Sequence, residues 1–127
     1  MTSELYDKGL GIRKKVVGEE YVNKSLEQAD EFSTDFQTLV TEYCWGAVWG
    51  RETLEHKTRS MLNIAMIAAL NRPHELRLHV QGALRNGVTP EEIREILLQV
   101  TIYAGVPAGV DSFRIAREAI ESFTPDS

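Results

Sequence analysis

The stretch LNRPHELRLHVQGALRNGVTPEEI, Leu70 to Ile93, decides the fold. Pro73 suits the first turn of a helix, where its missing N–H costs nothing. Leu76, Val80, Ala83 and Leu84 then fall at i, i+4, i+7 and i+8, one apolar stripe of helical period. Gly87 supplies the stop. Thr89, Pro90 and Glu92 give the next start: an N-cap hydroxyl, a first-turn proline and the glutamate of a capping box. The stretch therefore predicts a helix over Pro73–Asn86, a tight stop and a second helix.

The same period extends in both directions. Ile93, Ile96, Leu97, Val100, Tyr103 and Ala104 form one stripe, and Val110, Phe113, Ala116, Ile120 and Phe123 another. Upstream, Phe32, Phe36, Leu39, Val40, Tyr43 and Ala47 form a third, and Gly18 breaks the N-terminal stretch into two shorter helices. Leu54–Leu70 is apolar on nearly all sides in its second half and is expected to be the most buried helix. No alternating apolar and polar runs joined by hairpin turns are present. The expectation is an all-α fold, a compact domain of six or seven helices spanning 1–127, that buries further surface in an oligomer.

Composition narrows the function classes. The chain has 127 residues, 43% hydrophobic and 26% charged, which suits a single packed domain. The formal charge of -5 argues against nucleic acid or an anionic membrane as partner. The N-terminus MTSELYDKGLGIRKK lacks the apolar run of a signal peptide, and Ile64–Leu70 is too short to span a bilayer. A single cysteine, Cys44, excludes an internal disulfide and fits a reducing compartment, so a cytoplasmic protein is expected.

Three sets of residues carry possible chemistry. His79 sits at the edge of the Leu76–Val80 stripe, with Glu75 four residues before it and Arg72 one turn earlier still. A carboxylate at that spacing is expected to orient the ring and raise its pKa. A histidine satisfied within the core is the competing reading. His56, His74 and His79 lack the spacing of a zinc helix, so no metal is expected. In EYCWGAVWGR, Glu42 to Arg51, Trp45 and Trp49 are four apart on one face. Gly46 between them permits close approach to the backbone, and Arg51 follows. Two rings and a guanidinium suit a flat anionic molecule, while core filler is the competing reading for the tryptophans. Cys44 reads as a small hydrophobe. Arg59 on the apolar helix needs a partner, and a structural ion pair is expected.

The segments GIRKKVVG, EYCWGAVWGRETL, KTRSMLNIAMIAALNR, HELRLHVQGALRNGVTPEEI and QVTIYAGVPAG, in this order and spacing, resemble the carboxymuconolactone decarboxylase family over about Gly9 to Ala119. The resemblance implies an all-α fold of the alkylhydroperoxidase-D-like type and a homohexamer, a trimer of dimers. The peroxidase branch of that fold carries Cys-x-x-Cys-x-x-x-His and a glutamate on the preceding helix. Here those positions hold Arg72, Glu75 and His79, with Ser60 at the glutamate, so thiol redox chemistry does not carry over. The implied reaction is decarboxylation of a γ-lactone dicarboxylate, 2-carboxy-5-oxo-2,5-dihydrofuran-2-acetate, in protocatechuate breakdown. The substrate serves as its own electron sink, so no cofactor is implied. On this reading His79 is the proton donor, Glu75 orients it, Arg51 and Arg72 hold carboxylates, and Trp45 with Trp49 covers the ring. A redox partner using Cys44 between subunits and a non-catalytic helical binding protein are the alternatives.

Overall fold

The computed structural model describes residues 2–125. Among them it contains seven α-helices and one π-helical stretch: α1 (Glu4–Val17), α2 (Glu19–Glu27), α3 (Thr34–Leu39), the π-helix Val40–Val48, α4 (His56–Ala69), α5 (Pro73–Arg85), α6 (Pro90–Ala104) and α7 (Val106–Glu121). The all-α expectation holds. None of these helices is long and apolar enough to cross a membrane. The chain falls into two compact units that divide between Glu55 and His56.

In the first unit α1 starts on Ser3, whose hydroxyl accepts from the Tyr6 N–H, and stops at Gly18, where φ is 99°. The stop at Gly18 matches the sequence reading. α1 packs on the π-helix through its backbone. A Cβ at Gly9 would collide with the Thr41 carbonyl oxygen, and one at Gly46 with the Leu5 carbonyl oxygen. Gly46 thus does admit a close neighbour, and that neighbour is α1. The Trp49 N–H reaches back five residues to the Cys44 carbonyl at 3.0 Å, the bonding of a π-helix. The stripe drawn through Phe32, Phe36, Leu39 and Tyr43 is not a buried face. Those side chains are exposed, Phe32 to 95%, and the buried residues are Thr41, Trp45 and Gly46 instead.

The second unit holds the large apolar cluster, with Ile64, Leu76, Val80, Ile93 and Leu97 at its centre. α5 ends as its sequence predicts. Gly87 takes φ 90°, and the Val88 N–H caps the Ala83 carbonyl at 2.9 Å. At the start of α6 the Thr89 hydroxyl accepts from the Glu92 N–H, and the Glu92 carboxylate accepts from the Thr89 N–H. Lys57 of α4 pairs with the same carboxylate at 3.2 Å. α4 departs from expectation. It buries one face, Ser60, Ile64 and Ala68, and leaves Leu62, Met66 and the following Leu70 exposed. Periodicity identifies which residues share a face but not how many faces a single chain covers. The far ends of two other stripes, Tyr103 and Val110, are exposed for the same reason.

Candidate functional site

α5 carries His79 on its α4 side. The cause is local: Pro73 starts the helix, Leu76 and Val80 face the core, and residue 79 lies at the margin of that face. The ring is half-buried, and the Asn63 side-chain amide of α4 lies 3.4 Å from its Nδ1. Burial pushes the ring pKa down from 6.5 to about 4, against a smaller upward pull from Glu75. The expected influence of Glu75 is therefore present, but its net direction is overturned. Glu75 is exposed, so solvent screens its charge, while desolvation of the ring is not screened. At neutral pH the ring is uncharged.

Arg72 sits outside this line. Its backbone is not helical, with φ -112° and ψ 83°, which breaks the seven-residue register with His79. It lines a cavity of about 210 Å³ together with Leu76, Ser112 and Arg114. The structure thus brings Glu75 and His79 along one side of α5 and sets Arg72 toward α7.

Trp45, Trp49 and Arg51 belong to the first unit. The two indoles do meet, with centroids 4.8 Å apart and planes tilted by 37°. Both are buried, 5% and 3% exposed, as a core pair would be. Arg51 follows the π-helix in an exposed loop, its N–H bonded to the Val48 carbonyl at 3.1 Å. Cys44 is exposed, and the cost of desolvating the thiolate raises its pKa despite the Arg13 charge nearby. A thiol held in its protonated form is a poor nucleophile. Ser60, at the position of the peroxidase glutamate, is buried and accepts a hydrogen bond from the Asn86 amide at 2.9 Å.

The ion pair expected of Arg59 is absent among the described residues, and its Nε is buried without a hydrogen-bond partner. The carboxylate that α4 does engage, Glu92, is taken by Lys57. Among the described residues no group of three His, Cys, Asp or Glu side chains gathers in metal-binding geometry. Asn63 is a neighbour of His79 that sequence reasoning missed. Its only signal was an amide within the apolar run MLNIAMIAAL, since its partner lies sixteen residues away.

A family model described as "Carboxymuconolactone decarboxylase family" matches residues 34–118. The chain is 41% identical to 4-carboxymuconolactone decarboxylase of Acinetobacter baylyi over 116 residues, covering 91% of this chain and 87% of that one. It is 40% identical to nitrosuccinic acid decarboxylase of Metarhizium robertsii over 116 residues, covering 91% of this chain and 81% of the relative.

Proposed function

The chain belongs to the carboxymuconolactone decarboxylase family, and from that premise we propose that it decarboxylates 4-carboxymuconolactone to the β-ketoadipate enol-lactone. The observation that carries the reading is the 41% identity over nearly the full length of a relative bearing that activity in its name. In the reaction the bond from the ring carbon to one carboxylate breaks and CO2 leaves. The electron pair runs through the ring alkene onto the lactone oxygen, and a proton drawn from solvent then adds to ring carbon. The enzyme has to hold two carboxylates and meet the charge that grows on the lactone oxygen. His79 supplies an N–H for that oxygen, with Glu75 beside it on the same helix. Arg51 and Arg72 are the carboxylate ligands on this reading, and Trp45 and Trp49, which the sequence reading set over the ring, are buried against each other instead. The substrate carries its own electron sink, so turnover needs no cofactor or metal.

A second reading rests on the 40% identity to the fungal relative. Nitrosuccinic acid is also a small dicarboxylic acid that loses CO2 next to an electron-withdrawing group. The two compounds share the demand for paired anion ligands and a donor to the developing oxyanion. Offering each to purified protein in the presence of chelator, and following CO2 release, decides between them. Release from neither removes the decarboxylase reading. A chelator-sensitive rate restored by a divalent ion removes its cofactor-free form.

The protein acts as a cytoplasmic homohexamer on this reading. The exposed stripes of α3 and the π-helix, and of α4, support self-association, because single chains seldom leave so much contiguous apolar surface in water. Light scattering that reports a monomer at micromolar concentration would remove the hexamer.

A further inference from the structure

The start of α5 is left chemically open. Arg72 stands at the N-cap and makes no side-chain cap bond, and Pro73 has no N–H to offer. The first bond of the helix, from the Leu76 N–H to the Arg72 carbonyl at 2.9 Å, comes after the N–H groups of His74 and Glu75. At this end lies the cavity of about 210 Å³ that α5 shares with α7. Ser112 lines it and is 2% exposed, and among the described residues its hydroxyl bonds to no other group. A polar group at that depth ordinarily has a partner. We propose that the cavity is a binding site for a small carboxylate, held by Arg72, Arg114 and Ser112 at the positive end of α5. The inference deepens the reading of Arg72 as a carboxylate ligand and asks nothing of His79.

Charge and size define the occupant. Two guanidiniums, Arg72 and Arg114, line the cavity against one carboxylate, Asp111, so a cation is left over. Among the described residues no carboxylate pairs with Arg72. Arg114 lies 3.8 Å from Asp111 and 3.9 Å from Glu118, too far for a charge-assisted hydrogen bond to either. Its fork is still open to a closer anion. The cavity is smaller than the roughly 300 Å³ at which sites for drug-sized ligands begin, so a nucleotide or a fatty acid does not fit. Pro73, Leu76 and Ile115 give it apolar walls, which suit a short carbon skeleton behind the charged group. Such a carboxylate has two sources: one arm of the dicarboxylate substrate, or a separate small acid that acts as an effector.

Malonate is the probe, added to the full chain at constant ionic strength while 15N–1H spectra are recorded. The N–H signals of His74, Glu75 and Ser112 should shift and saturate. Arg72→Gln and Arg114→Gln should each weaken binding by roughly tenfold or more, and Ser112→Ala by about a few-fold. Asp111→Asn should tighten it, the one change expected to act in the other direction, because it removes the carboxylate that competes with the ligand. No saturable shift in the wild-type protein overturns the proposal, and so do wild-type affinities in both arginine variants. Kinetics with the lactone separate the two sources. Malonate that raises KM and leaves kcat alone means that the cavity seats the substrate's own carboxylate. Malonate that lowers kcat at constant KM means that a separate acid sits there, which keeps the site and removes Arg72 from the substrate. A protein that binds malonate and releases no CO2 from the lactone keeps the site and counts against the proposed substrate instead.

Discussion

Arg13 in the first unit and His79 in the second are both nitrogen bases drawn from water, and the two are handled in opposite ways. Arg13 in the first unit is 6% exposed, and among the described residues no carboxylate pairs with it. Desolvation lowers its pKa, with Tyr21, Tyr6 and Cys44 pulling the other way, yet a guanidinium does not discharge in water. The fold answers by supplying an acceptor: Arg13 Nη1 donates to the Thr41 hydroxyl at 3.2 Å, and that hydroxyl donates to the Gln37 carbonyl at 2.7 Å. His79 in the second unit solves the same problem by losing its proton. A permanent cation therefore becomes a fixture, while a base that can discharge is left neutral, the form that the proposed role of His79 uses.

The comparison breaks most visibly at His79. His79→Ala should remove the donor to the developing oxyanion, with a loss of about 10²–10³ in kcat, while circular dichroism and oligomer size stay unchanged. Retained activity per folded molecule would make His79 as structural as Arg13.

The next effect is on stability against pH. The folded-state pKa of His79 lies at about 4, below the ordinary 6.5. Between those values the unfolded chain binds more protons than the native one. The His79 contribution is thus whole above pH 6.5, is lost progressively as pH falls toward 4, and changes no further below that. The loss should not exceed about 3 kcal/mol, less where solvent reaches the ring. Denaturant melts of wild type and His79→Gln across pH 4–7 check it, and equal slopes for the two proteins would show that the ring is not the cause.

Thr41 sharpens the other half. Thr41→Val removes the acceptor and leaves the charge in place, which should cost about 1.5–3 kcal/mol. Arg13→Met removes the charge with similar volume and should come out near neutral or slightly stabilising. Equal losses in the two variants would mean that packing, rather than the charge, sets the energetics of this site.

The smallest effect concerns an exposed cation. Arg51→Ala should lower kcat/KM by roughly one to two orders of magnitude with little change in melting temperature. Arg51→Lys should keep the charge and still lose part of the rate, because a lysine cannot copy the planar fork. Kinetics unchanged in the alanine variant would remove Arg51 from substrate binding.

Much of the second unit was legible because its punctuation is local chemistry. Thr89 with Glu92, and Gly87 with its positive φ, work over four or five residues wherever the chain goes. The π-helix was not legible, since five-residue bonding over Val40–Val48 goes with α1 lying on its backbone, some thirty residues earlier in sequence. The pairing of His79 with Glu75 could be read from spacing, but the outcome depends on depth. Only the packed structure shows that desolvation outweighs one exposed carboxylate. Asn63 escaped for a similar reason, because nothing in its own neighbourhood announces a partner on the next helix.

The glycine contacts of α1 have a mechanical consequence. At Gly9 and again at Gly46 the two backbones touch without any side chain between them. A helix that rides on side chains slips by letting rotamers yield, at a cost near that of a few torsions. Here a slip of one residue in either direction drives a Cβ into a carbonyl, and a carbonyl does not yield. α1 is therefore keyed: it can lift away from its seat at one end, but it has no path along it.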